Sequence, residues 1–171
     1  MHRLVPEMIV ENYSAGQTRG SFKSACMFFD LSGFSAMTDA LMQHGQHGAE
    51  VLADLMHSVF DPLVAGIFEH GGQVVGFAGD SITAVFRVDS DIQSTARRAL
   101  ASAWTIQQHL SSHAAQRTEY GTFNFTAKIG LAFGGVDWGI LDSSDGTRAT
   151  YYFRGAAVDD AAEAEHQASA G

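Results

Sequence analysis

An α+β sandwich, with a mostly antiparallel sheet carrying helices on one face, is the fold class that this sequence predicts. Three observations point there. Segments compatible with strand and helix follow one another in the order β, α, α, β, β, α, β, β, β, α. The first strand, its helices and the hairpin that follows have the layout of the split βαβ arrangement in ferredoxin-like folds. The 171 residues are 46% hydrophobic and 17% charged, a globular composition long enough to bury one core without disulfides or a structural metal.

Residues 1–22 mix apolar and polar side chains without a period, punctuated by Ser14, Gly16 and Gly20. They predict an arm or short helix ahead of one domain at 23–171. Residues 25–30 form a short apolar run stopped by Leu-Ser-Gly-Phe, so a buried strand is predicted from whose end Asp30 emerges. A helix over 35–44 follows, then a glycine-rich break at 45–48. A longer helix comes next, in which Leu52, Leu55, Met56, Val59, Phe60, Leu63 and Ile67 keep a spacing of about 3.6 residues. Pro62 should bend that helix, and the glycines after His70 should end it.

Residues 73–77 and 81–88 read as two strands around Gly79-Asp80, a hairpin with an aspartate at its tip. A third helix is predicted over 90–110, burying Ala96, Leu100, Ala103 and Ile106 or close neighbours. A polar linker precedes strands at 123–136, 138–141 and 150–153, with a turn-rich loop at 142–148. An Ala- and Glu-rich helix over 155–167 closes the chain.

The formal charge is -9 with only ten scattered Lys and Arg, which argues against a nucleic-acid partner. A polyanionic small substrate would then need metal ions as intermediaries. The single cysteine, Cys26, rules out an internal disulfide and a Cys-rich zinc site, and suggests a cytoplasmic protein. No stretch reads as a membrane span or signal peptide, so no membrane partner is expected.

Two carboxylates stand at predicted chain turns, Asp30 at the end of the first strand and Asp80 at the hairpin tip beside it. Such a pair suits Mg²⁺ or Mn²⁺, which take one or two carboxylates and complete their shell with water and phosphate. The loop Leu31, Ser32, Gly33, Phe34, Ser35 precedes a helix, whose free N–H groups can receive phosphate oxygens. From the residues alone, two ordinary turn or capping aspartates are an open alternative.

Four blocks resemble, in order and separation, the catalytic domains of class III adenylyl and guanylyl cyclases. They are FFDLSGFSAMT from Phe28, GGQVVGFAGDS from Gly71, KIGLA from Lys128 and FRGAAVDD from Phe153. The resemblance spans residues 4–168, including the arm LVPEMIV from Leu4, and is nearest the first cyclase domain of soluble, bicarbonate-responsive adenylyl cyclases and bacterial relatives. It implies that Asp30, Asp80 and the Leu31 carbonyl bind two Mg²⁺ or Mn²⁺ ions. It further implies that Ser32, Gly33, Phe34, Ser35, Gly79 and Lys128 hold the phosphates of an ATP-type nucleotide. The reaction implied is in-line attack of the ribose 3'-hydroxyl on the α-phosphate, giving cyclic AMP and pyrophosphate.

Half of the family's site has no counterpart here. Gly76 stands where a base-recognising lysine is usual and Tyr152 replaces its partner. Asp159 replaces an asparagine and Glu163 an arginine that stabilises transition-state charge. Losing one such stabiliser typically costs on the order of 10²–10³ in rate. The resemblance therefore implies a second cyclase domain, in the same polypeptide or a homologous chain, that completes a dimeric site. Gly76 and Ala162 also replace the residues used for bicarbonate, and a further hairpin is usual in the family after the last helix. The alternative is a degenerate module that serves regulation or dimerisation.

The remaining candidates have plainer readings. His44 and His47 fit a solvated loop better than a zinc site, for want of further ligands. His57 fits a core edge or helix surface and His70 a helix cap, while Trp104 and Trp138 fit packing.

Overall fold

The computed structural model describes residues 5–89 and 91–169. Leu4 of the arm and Ser90, the expected start of the third helix, fall outside them, as do residues 170–171.

Among the described residues, five helices and seven strands follow in the order α1 (Glu7–Ser14), β1 (Arg19–Ser32), α2 (Phe34–Met42), α3 (Gly45–Glu69), β2 (Gln73–Ala78), β3 (Ser81–Arg87), α4 (Ile92–Ser112), β4 (Ala115–Thr118), β5 (Gly121–Asn124), β6 (Thr126–Asp142), β7 (Ala149–Arg154) and α5 (Ala156–Gln167). The main sheet has the order β2-β3-β1-β6-β7, with every neighbouring pair antiparallel. β4 and β5 form a separate hairpin.

The central strand explains the layers. Ala25, Met27, Phe29 and Leu31 point to one face, where they pack with Met37 and Leu41 of α2, Leu55, Val59, Leu63 and Ile67 of α3, and Ala99, Ile106 and Leu110 of α4. Cys26 points to the other face and meets Val85, Val136, and Ala157 and Ala161 of α5. A strand covered on both faces reads as an unbroken apolar run rather than an alternating one.

The expected α+β sandwich with a mostly antiparallel sheet is therefore present, but helices on one face describe only α2, α3 and α4. α5 lies on the opposite face, and α1 joins it by packing Met8 and Ile9 on Trp138 and Ile140. β6 admits α5 closely because Gly130 has no side chain; a Cβ there would lie 2.0 Å from the Ala161 carbonyl oxygen.

Several element boundaries differ from the sequence reading. β1 begins at Arg19, so residues 19–22 of the expected arm belong to the sheet. The glycine-rich 45–48 segment is the first turn of α3, and that helix runs unbroken through Pro62. Its core stripe of Leu55, Val59, Leu63 and Ile67 outweighs the propensity cost of its glycines and proline. Met56 turns outward.

α3 also reaches the length and apolar composition of a membrane span, which the sequence reading missed; its buried stripe packs in the core with the sheet and α4. In α4 the buried residues are Thr95, Ala99, Ser102, Ile106 and Leu110, while Leu100 and Trp104 are 59% and 68% exposed. Buried hydroxyls are affordable there because Thr95 Oγ1 donates to the Asp91 carbonyl and Ser102 Oγ to the Gly66 carbonyl. The packing role assigned to Trp104 fails accordingly, whereas Trp138 is buried.

The polar linker holds the β4–β5 hairpin, and the two strands expected at 123–136 and 138–141 are the single long β6 preceded by β5.

Candidate active site

Antiparallel register gathers the predicted residues at one end of the sheet. Asp30 is opposite Ser81 of β3 on one side and opposite Lys128 of β6 on the other. Ser81, Asp30 and Lys128 thus form a row on one sheet face. Asp80 is the neighbour of Ser81 in the tight turn Gly79-Asp80 that joins β2 to β3. The two aspartates, far apart in sequence, are brought to adjacent strand ends by this pairing.

Asp30 is half-buried, and its Oδ1 accepts a hydrogen bond from Ser81 Oγ at 2.6 Å. The Leu31 side chain is directed into the α2–α4 core, 1% exposed. Ser32 is the last residue of β1, paired with Thr126. Gly33 then turns the chain with φ +102°, a conformation that favours glycine. A Cβ at this position would also fall 2.2 Å from the Asn124 carbonyl oxygen at the end of β5.

α2 starts directly after Gly33 with no side-chain cap, which leaves the first N–H groups of the helix, at Phe34 and Ser35, unmatched by its own carbonyls. Phe34 is anchored edge-on to Phe60 of α3, ring centroids 5.9 Å apart, so this helix end is held by packing. Backbone donors, a fixed helix terminus and a free cationic side chain suit a phosphate chain. Among the described residues Lys128 makes no ion pair.

The donor set at Asp30, Asp80 and the Leu31 carbonyl is all oxygen, the preference of Mg²⁺ and Mn²⁺. Among the described residues no three His, Cys, Asp or Glu side chains gather to hold a metal. A divalent ion at the aspartate pair would therefore take its remaining ligands from water and substrate oxygens, as Mg²⁺ commonly does beside phosphates.

Of the positions that break the family pattern, Gly76 is opposite Thr83, two residues along β3 from Ser81, and the others are on β7 and α5. Gly76 sits at a bulge where the β2–β3 register shifts, and nothing lies within 4 Å of where its Cβ would be. Tyr152 covers Gly139 across the β6–β7 pair, with the Arg154 guanidinium 5.6 Å from its ring centroid. Asp159 and Glu163 both face solvent on α5, and Glu163 accepts a hydrogen bond from Gln167 Nε2 at 2.7 Å.

Two contributors escaped the sequence reading. Ser81 ends the block GGQVVGFAGDS with nothing there to mark its role, and only the hairpin register reveals it opposite Asp30. The β4–β5 hairpin, hidden in a polar segment, braces the Gly33 turn through Asn124. Its tip is fastened by His47 of α3, whose Nε2 lies 2.8 Å from Glu119 and whose Nδ1 lies 3.5 Å from Glu50. His44 stacks on Tyr120 with centroids 3.9 Å apart. These histidines are thus not in a free solvated loop, and no zinc set surrounds them among the described residues.

No family model matches the sequence. Among curated proteins, the chain is 32% identical over 154 residues to adenylate cyclase type 10 of Oryctolagus cuniculus, covering 86% of this chain and 9% of that protein. With adenylate cyclase type 10 of Homo sapiens it shares 30% identity over 173 residues, covering 96% of this chain and 10% of the relative. The chain thus spans about a tenth of the length of these relatives. Among solved structures, the guanylyl cyclase Cya2 superposes with a TM-score of 0.70 at 25% identity, covering 90% of this chain and 74% of that one. The strand order, the blocks around Asp30 and Asp80 and these likenesses agree: the chain belongs to the class III adenylyl and guanylyl cyclase catalytic-domain family.

Proposed function

We propose that this domain converts ATP to 3',5'-cyclic AMP and pyrophosphate as the metal-binding half of a two-domain site. The observation that carries the proposal is the register Asp30 opposite Ser81, which brings two carboxylates to one sheet end beside a helix-leading loop. ATP is preferred over GTP because the curated relatives are named adenylate cyclases, although Cya2 is a guanylyl cyclase.

In this reading Asp30, Asp80 and the Leu31 carbonyl hold two Mg²⁺ or Mn²⁺ ions. When bound, the ions supply charge neutralisation on the triphosphate and acidify the ribose 3'-hydroxyl. The chain's own residues orient the substrate. Backbone N–H groups from Ser32 to Ser35, with Gly79 beside Asp80, receive phosphate oxygens, and Lys128 adds one positive charge to the departing pyrophosphate. Fixing the phosphate tail in this way favours in-line geometry.

Base recognition and a cation for the transition state must come from a second cyclase domain, in the same polypeptide or a homologous chain. Gly76 offers no side chain, and Asp159 and Glu163 carry the wrong charge for a pentavalent phosphorane. Residence in the cytoplasm, where ATP is supplied, belongs to the same proposal. Its support from this chain is a lone, buried Cys26 whose thiol burial pushes up to about 11, an unreactive group rather than half of a disulfide.

A second reading is a cyclase-like regulatory or dimerisation module without turnover. The solvent-facing carboxylates Asp159 and Glu163, where the family pattern has an asparagine and an arginine, favour it. The two readings separate in one assay. Mn²⁺-ATP is supplied to this chain mixed with a class III domain that carries the missing lysine, asparagine and arginine but lacks its own metal aspartates. Cyclic AMP from the mixture supports the catalytic half-site, and none from any such pairing supports the module.

A further inference from the structure

The metal reading rests on Asp30, yet a carboxylate on a strand end has two rotatable bonds and needs something to aim it. The structure offers one candidate. Ser81 Oγ donates to Asp30 Oδ1 at 2.6 Å, within the short range of hydroxyl-to-carboxylate bonds. Among the described residues Ser81 is the one side chain hydrogen-bonded to Asp30. The contact is built into the sheet: the two residues are direct cross-strand partners on the same face, with Cβ atoms about 4.5–5.5 Å apart in such pairs.

We propose that Ser81 is a positioning residue, aiming the Asp30 carboxylate and setting its separation from Asp80. The proposal rests on the metal-binding reading given above and deepens it. An ionised carboxylate has about four lone-pair sites, and the serine takes one of them on Oδ1. The others stay open to cations, so the hydrogen bond restrains rotation without blocking coordination. Ser81 also follows Asp80 directly in the chain. The same residue therefore ties the hairpin turn that carries one carboxylate to the strand end that carries the other. A hydroxyl supporting a metal-binding carboxylate is a second layer of the site, and such supports are commonly worth 10–100-fold in metal affinity.

A role confined to hairpin stability is separated from positioning by comparing Ser81→Thr with Ser81→Val in the full chain. Both side chains suit a strand and have nearly the same shape, so both variants should fold; only threonine retains the hydroxyl. The measurement is Mn²⁺ binding by electron paramagnetic resonance in the presence of 3'-deoxy-ATP, which cannot cyclise, with Asp30→Asn as control. The expected result is Mn²⁺ affinity about 10–100-fold weaker in the valine variant and within about threefold of wild type in the threonine variant. Equal binding by both, with Asp30→Asn having lost it, would overturn the positioning role and leave the metal reading intact. Wild-type Mn²⁺ binding by Asp30→Asn would overturn both.

Discussion

In the proposed half-site, Asp30 and Asp80 are the two carboxylates offered to a metal. Asp30→Ala and Asp80→Ala are each expected to lower cyclase activity of the completed two-domain enzyme by at least on the order of 10²–10³-fold, the scale of losing an electrostatic stabiliser. Thermal unfolding should change little, since both residues are only half-buried. Retained turnover in either variant would contradict the assignment. Gly33 is also required by the fold: Gly33→Ala meets both φ +102° and the Asn124 carbonyl. It should cost about 1–3 kcal/mol in urea denaturation, and an unchanged midpoint would show that the turn relaxes freely. The aspartates were legible because each is a carboxylate beside a glycine-bearing turn. Ser81 was not, because a cross-strand partner is a property of register and no single strand states its own register.

The β4–β5 hairpin raises the same question for whole elements. Its tip is held to α3 by His47, and the hydrogen bond to Glu119, then that to Glu50, raises the His47 pKa above its usual value. A raised histidine pKa means the clasp contributes fully below the unfolded pKa of about 6.5 and fades as pH climbs through the folded value. Amide protection factors at the hairpin tip, taken against the intrinsic exchange rate at each pH, should therefore be higher near pH 6 than near pH 8.5, and His47→Gln should flatten that difference; equal protection in the wild type at both values would refute it. α3 and the β2–β3 hairpin could be read in advance from apolar spacing and turn residues. β4–β5 is too polar to announce itself, and the α4 stripe was misplaced because buried Thr95 and Ser102 carry satisfied hydroxyls that a hydrophobic pattern cannot see.

For the molecule as a whole, the half-site proposal turns on the row at Asp30 and on the α5 positions that break the family pattern. The row at Asp30 closes one end of the sheet, whereas Asp159 and Glu163 are on the outer side of α5. This chain alone is expected to yield no cyclic AMP above background with Mn²⁺-ATP, since no second copy supplies the lysine or arginine; a robust signal from the isolated chain would defeat the half-site proposal. The sandwich class was evident from the sequence because the order of apolar runs determines it. Helices on both faces were not, although the unbroken apolar run at 25–29 already demanded cover on two sides.

The irregularity between Val74 and Gly76 has a bearing on solubility. β2 is an outer strand whose unpaired amides could template another polypeptide, and a local kink with extra twist makes such a border a poor mould. The bulge at Gly76 thereby makes this margin of the sheet a poor template for indiscriminate self-association.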